Sequence, residues 1–152
     1  MRETVEMVRE VWPERLPLGV RFSASDWVER GWSVEDSIEL AIVLKGLGVD
    51  FIDCSSGGAS NLSKTALSGL TMDQIPLAAA VRKEADIMTM AVGGITDPQQ
   101  ANAIIAEGKA DMALLARELI RDPYWPMHAA QALGLSTKET SPDQISFWLE
   151  KR

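Results

Sequence analysis

The sequence predicts an α/β fold of parallel strands joined by crossover helices. Four apolar runs of strand length alternate with segments of helical periodicity. Most connections are short, so each helix must carry the chain back to the same end of the sheet. Polar and glycine residues gather where the strands end: Arg21 and Ser23, Ser55 and Ser56, Gly93 and Gly94, Arg117. Two architectures satisfy this pattern, an open doubly wound sheet and part of a (β/α)8 barrel. An open sheet usually carries its glycine fingerprint after the first strand, where this chain has Arg21-Phe-Ser-Ala-Ser-Asp26. Polar groups at every strand end suit the active face of a barrel. Four units cannot close eight strands, so each outer strand would keep an unpaired edge.

The elements follow in order. Thr4 to Val11 reads as a helix with Val5, Val8 and Val11 on one face, ended by Pro13. Leu16 to Ser23 is apolar at nearly every position, as a strand buried on both faces would be. Ser33 with Asp36 resembles a capping box, and the helix it opens runs to Leu47 and stops at Gly48. Val49 to Ser56 is the second strand, followed by a long Gly-, Ser- and Asn-rich loop, residues 57–72. A helix from Ile75 to Glu84 leads to the third strand, Ile87 to Val92. Asp97 caps the next helix with Pro98 at its first position, and that helix ends near Gly108. Asp111 to Ala116 is the fourth strand. Leu119 to Leu133 reads as short helical pieces broken by Pro123 and Pro126. Gly48-Val-Asp50 and Gly108-Lys-Ala-Asp111 echo one another, each placing glycine and then aspartate before a strand.

The chain has 152 residues, 46% hydrophobic and 24% charged, which is globular composition with enough length for one core. A formal charge of -7 argues against nucleic acid or acidic membranes as partners, so an anionic ligand needs locally placed arginines. Cys54 is the only cysteine, which rules out an intrachain disulfide and fits the cytoplasm. There is no apolar signal region and no run of spanning length, so a soluble chain is expected. No His/Cys cluster suggests a metal.

The most informative segment is Ala113-Leu-Leu-Ala-Arg117-Glu-Leu-Ile-Arg-Asp-Pro123, one helix after Ala91-Val-Gly93-Gly94-Ile-Thr96. One strand ends in bare glycine backbone and the other in a guanidinium. Side by side at a barrel's C-terminal end, they make a phosphate site for flavin mononucleotide or a sugar phosphate.

Taken together, Val20-Arg-Phe-Ser-Ala-Ser-Asp26, Gly48-Val-Asp-Phe-Ile-Asp-Cys-Ser-Ser-Gly57, Ala91 to Thr96, Ala110 to Pro123 and Phe147-Trp-Leu-Glu-Lys-Arg152 resemble the C-terminal half of an old yellow enzyme family ene-reductase, in its bacterial thermophilic-like branch. The resemblance implies strands 5–8 of a (β/α)8 TIM barrel, completed by another chain. It implies FMN as cofactor, NADPH or NADH as reductant, and an activated alkene as hydride acceptor. It places Arg21 at the flavin's N1/O2 side, where a cation favours the reduced ring. It assigns the phosphate to Gly93, Gly94, Ala116 and Arg117, with Ala116 standing where the family often has glycine. Trp148 and Arg152 match a tail segment that reaches a neighbouring subunit's site, so a dimer of assembled barrels is expected. The family's histidines, tyrosine proton donor and flavin-contacting glutamine belong to the first four strands, so no catalytic residue is expected in this chain. The implied organisation is a half-barrel over residues 1–135 and a tail over 136–152.

Several residues have plainer readings. His128, the only histidine, falls away from the strand ends and reads as structural. Cys54 reads as an inert core thiol. Asp50 reads as a local backbone acceptor and Asp53 as an uncertain acid/base candidate. Asn61 and Lys64 read as solvated loop residues, and Trp27 and Trp32 as covering the barrel rim or a partner. Glu118 and Arg121 offer an ordinary ion-pair reading of the Arg117 segment. Two other identities remain: an inactive half-barrel that self-associates, and a small monomeric phosphate-binding domain.

Overall fold

The computed structural model describes residues 1–57 and 74–149. Its strands are β1 (Gly19–Ser23), β2 (Phe51–Ser55), β3 (Met88–Val92) and β4 (Met112–Leu114). Its α-helices are α1 (Arg2–Val11), α2 (Val34–Gly46), α3 (Ile75–Ala85), α4 (Pro98–Ala106), α5 (Arg117–Arg121), α6 (Trp125–Ala132) and α7 (Asp143–Leu149). A short 3-10 turn, Thr137–Glu139, precedes α7. The sheet is entirely parallel, in the order β1-β2-β3-β4. The chain therefore winds in one direction, as barrel units do, with no strand inserted out of sequence. Residues 58–73, which hold most of the predicted loop with Asn61 and Lys64, lie outside the described residues.

Alternation along the strands separates the two faces. Phe22, Ile52, Cys54, Thr89 and Ala91 are buried against Ala41 and Leu44 of α2 and Leu77, Ala78 and Val81 of α3. Leu44 and Ile52 are fully enclosed, and burial of such a side chain contributes about 2 kcal/mol. The other set is Gly19, Arg21, Phe51, Asp53, Met90, Met112 and Leu114. None of these is buried, and Met88 and Met112 are 50% and 41% exposed. Among the described residues, helices thus cover one face only. In a closed barrel the uncovered face would line the lumen. The expectation that β1 is buried on both faces is corrected for this reason: Phe22 is buried, whereas Gly19 and Arg21 are exposed.

Local chemistry explains most boundaries. Ser33 accepts from Asp36 N and Asp36 accepts from Ser33 N, completing the capping box of α2. Asp97 accepts from Gln100 N at 2.8 Å, with Pro98 beginning α4. Pro126 does not break a helix. It sits in the first turn of α6, where its missing N–H costs nothing. The segment 117–121 is helical from Arg117 onward, two residues earlier than expected. Val11 is 81% exposed despite its place on the valine face of α1. That helix flanks β1 at the sheet's edge, and in its last turn Arg9 packs inward while Val11 faces outward.

The repeated aspartates share one function. Asp50 N donates to Leu18 O while Asp50 Oδ2 accepts from Leu18 N. Asp111 N donates to Thr89 O while Asp111 Oδ2 accepts from Thr89 N. Each carboxylate ties the start of its strand to the neighbouring chain. A helix arginine attends each: Arg9 lies 3.8 Å from Asp50, and Arg82 grips Asp111 with two bonds of 3.0 Å. Asp50 is a backbone acceptor as expected, but its partner is on the adjacent strand segment rather than in its own turn.

The Arg82 hydrogen bonds hold the Asp111 carboxyl below the usual carboxylate range; partial burial opposes them, and the Thr89 N–H adds to them. A depressed carboxyl contributes stability above its unfolded value, about 4, and loses it as pH falls through the lower folded value. Asp111→Ala should therefore destabilise the fold at pH 7 by about 1–3 kcal/mol, the cost of stranding its partners. Urea midpoints should show that gap narrowing at pH 3. An equal gap at both values would contradict the assignment.

Candidate functional site

β3 and β4 run side by side and end at the same rim. Beyond Val92 the backbone takes positive φ twice in succession, 106° at Gly93 and 68° at Gly94. Any side chain there would be strained, even though a Cβ on Gly94 would meet no atom within 4 Å. Glycine is thus required by the bend, and the bend leaves the backbone bare. The Trp125 indole Nε1 donates to Thr96 O at 2.9 Å and pins this loop to α6. Across from it, Leu115 and Ala116 lead into α5.

The two segments enclose a cavity of about 290 Å³. Its lining includes Gly93, Gly94, Ala116 and Arg117, all four residues expected to hold phosphate. Glu118 and Arg121 also line it, and the sequence reading assigned them no ligand role. The Arg121 Nη1–Glu118 Oε2 distance of 2.9 Å shows where the ordinary ion pair lies. Glu118 is neutralised by Arg121, so among the described residues no carboxylate pairs with Arg117. Its cation remains available to an anion. Arg117 is not a strand-end residue as expected: β4 ends at Leu114, and Arg117 is the first residue of α5.

Arg21 is not part of this cavity. It lies two strands away on the uncovered face, about 10 Å across the sheet. Register places it beside Asp53, and its Nη1 donates to Asp53 Oδ2 at 2.6 Å. Asp53 Oδ1 is buried and has no hydrogen-bond partner among the described residues. Asp53 is thus an arginine partner, not a free acid/base group. Parity could have signalled this, since Arg21 and Asp53 each stand at the third position of a paired strand.

The remaining candidates are placed as follows. Trp148 is exposed on α7, and Arg152 lies outside the described residues. His128 Nδ1 lies 2.7 Å from Asp122 Oδ2 on the surface of α6. Ser23 Oγ donates to Ser25 O, while Ser56 Oγ is buried with no partner among the described residues. Trp27 and Trp32 flank the loop after β1, and the Trp32 indole donates to Ser37 Oγ at 2.6 Å. No group of His, Cys, Asp and Glu suited to a metal occurs among the described residues, nor does a helix long and apolar enough to cross a membrane.

A glycine bend after β3 facing an arginine at the start of α5 also marks a known family. Residues 1–136 match the NADH:flavin oxidoreductase / NADH oxidase family. The chain belongs to it. It is 46% identical over 132 residues to the NADPH dehydrogenase of Geobacillus sp. strain WCH70, covering 87% of this chain and 37% of that protein. It is 43% identical over 150 residues to the NADPH dehydrogenase of Halalkalibacterium halodurans, covering 98% and 42%. The Bacillus subtilis strain 168 NADPH dehydrogenase is 41% identical over 134 residues, covering 88% and 38%. The chain thus spans about 40% of the length of these relatives, and its four parallel strands form half of a TIM barrel.

Cys54 lies on the helix-covered face and is fully buried. Burial, and secondarily the Asp53 charge, push its thiol up to about 12. The reactive thiolate is then scarce at any ordinary pH. Iodoacetamide at pH 8 should leave Cys54 unmodified in the folded chain and label it after unfolding in urea. Rapid labelling of the folded chain would contradict its placement.

Proposed function

We propose that this chain is the FMN- and phosphate-binding half of a flavin-dependent ene-reductase, active only with a complementary N-terminal half-barrel supplied from outside residues 1–152. The observation that carries this reading is the cavity between β3 and β4, which gathers Gly93, Gly94, Ala116 and Arg117. These residues suit a phosphate: bare backbone on one side, and on the other a guanidinium with no competing carboxylate among the described residues. The uncovered face suits a flavin ring, being apolar at Phe51, Met90 and Leu114 but carrying Arg21 and the orphaned Asp53 Oδ1. When bound, FMN supplies the chemistry, accepting hydride from NADPH or NADH and delivering it to the β-carbon of an activated alkene.

Each group in this chain has a defined task. The Gly93–Gly94 backbone and Arg117 hold the phosphate. Arg121 neutralises Glu118, so that carboxylate does not repel it. Arg21 presents positive charge to the flavin's N1/O2 side, where charge builds on reduction. Trp148 and Arg152 are assigned to a neighbouring subunit's site in a dimer of assembled barrels. The groups that bind substrate oxygen and donate the proton lie on the complementary half. A cytoplasmic location fits this reading, because NADPH and NADH are held there.

The experiment mixes this chain with the first four βα units of a Bacillus NADPH dehydrogenase. The expected product is yellow, retains FMN through gel filtration and oxidises NADPH in the presence of an activated enone. A flavin-free homodimer that ignores the added half would instead favour self-association of this chain. Folded halves that bind no flavin would refute the proposal.

In the active assembly, Arg117→Ala should weaken FMN binding by about 2 kcal/mol, roughly thirtyfold in Kd, as expected for a charge-assisted contact. Arg21→Ala should lose about 2–3 kcal/mol and also slow flavin reduction. Isothermal titration and stopped-flow absorbance read these effects. Wild-type affinity in Arg117→Ala would remove it from the phosphate site.

A further inference from the structure

We propose that Asp53 is the positioning residue for Arg21, seating its guanidinium on the lumen face toward the flavin. The proposal rests on the FMN reading above and adds the residue that makes Arg21 effective. Parallel register sets the two side by side on β1 and β2, with Nη1 bonded to Oδ2 at 2.6 Å. Their side chains differ in freedom: Arg21 is 55% exposed and Asp53 only 14%. The aspartate is the fixed member, and the long arginine is the one that needs holding. On its other side Asp53 faces Met90 of β3, an apolar neighbour that offers no second cation. Among the described residues its Oδ1 is buried with no partner, so the carboxylate has one seat to fill. A small turn of the guanidinium would make the contact two-pronged, the arrangement that best fixes an arginine's direction. The rest of the fork stays open to the lumen.

Two effects oppose one another at this carboxylate. Its negative charge alone would disfavour electrons on a nearby flavin, so removing it would raise the reduction potential. Its hold on Arg21 brings a cation to the flavin, so releasing that arginine would lower the potential. Positioning requires the second effect to win.

The test uses the FMN-loaded assembly, in wild-type, Asp53→Ala, Asp53→Asn, Arg21→Ala and double-variant forms. Asp53→Ala should lower the flavin potential by about 30 mV, the equivalent of a tenfold loss of preference for reduced over oxidised flavin. Asp53→Asn keeps an acceptor without the charge and should restore the wild-type potential or exceed it. On an Arg21→Ala background, Asp53→Ala should cause no further fall. An unchanged or raised potential in Asp53→Ala, with Arg21 intact, would overturn the proposal. A flavin-free reading comes from NMR of the Arg21 Nε–H in the full chain. The group should be ordered in wild type and in Asp53→Asn, and mobile in Asp53→Ala; equal order in all three would overturn it. If the wild-type assembly takes up no FMN, the functional reading fails, and the NMR result alone still decides whether Asp53 holds Arg21.

Discussion

A parallel sheet is stable when both faces are covered, and among the described residues helices cover only one. Everything else follows from that asymmetry. The covered face carries the core, with Ile52, Cys54 and Ala91 sealed under α2 and α3. The other face combines Phe51, Met88, Met90 and Met112 with the ion pair Arg21–Asp53. Such a surface is too apolar for water and too polar for a plain core. It suits a barrel interior that closes around a flat, partly charged ligand. Among the described residues β1 and β4 have no partner on their outer side, so the same closure would satisfy their edges.

The two ends of the sheet are built differently, and the difference matches the division of labour in barrels. At the N-terminal ends of the strands, Asp50 and Asp111 lock neighbouring chains together, each beside an arginine from a helix. Both carboxylates there are engaged within the fold. At the C-terminal ends, the Gly93–Gly94 backbone bends at positive φ and Arg117 has no carboxylate of its own among the described residues. Stability is concentrated at one rim and unsatisfied binding capacity at the other. Trp125 links them to the outer layer by holding Thr96, so the glycine bend is fixed from outside.

Much of this was legible in the chain because it depends on local rules. Strand–helix alternation, the Ser33 capping box, the Asp97-Pro98 helix start and the paired glycines can all be read in a window of a few residues. That Gly93, Gly94, Ala116 and Arg117 share one cavity was legible for the same reason, since they lie within three residues of the ends of β3 and β4. What escaped depends on lateral register. Nothing near Asp53 in sequence announces Arg21, which lies 32 residues away. Asp50 reaching Leu18, and Trp125 reaching Thr96, are likewise contacts across the sheet or between layers. Pro126 misled because a proline reads as a breaker until its position in the first turn is known. The one-sided burial of β1 was hidden because an apolar run looks the same whether it faces helices or an unfilled lumen.

The central claim is that the outer edges of β1 and β4 and the face between them await complementary strands. Hydrogen exchange on the amides of Gly19–Ser23 and Met112–Leu114 tests it directly. Exchange should be fast at edge-directed amides in the chain alone and become strongly protected when the N-terminal half-barrel is added. Full protection of those amides in a solitary monomer would show that the edges are already sealed, and would contradict the account.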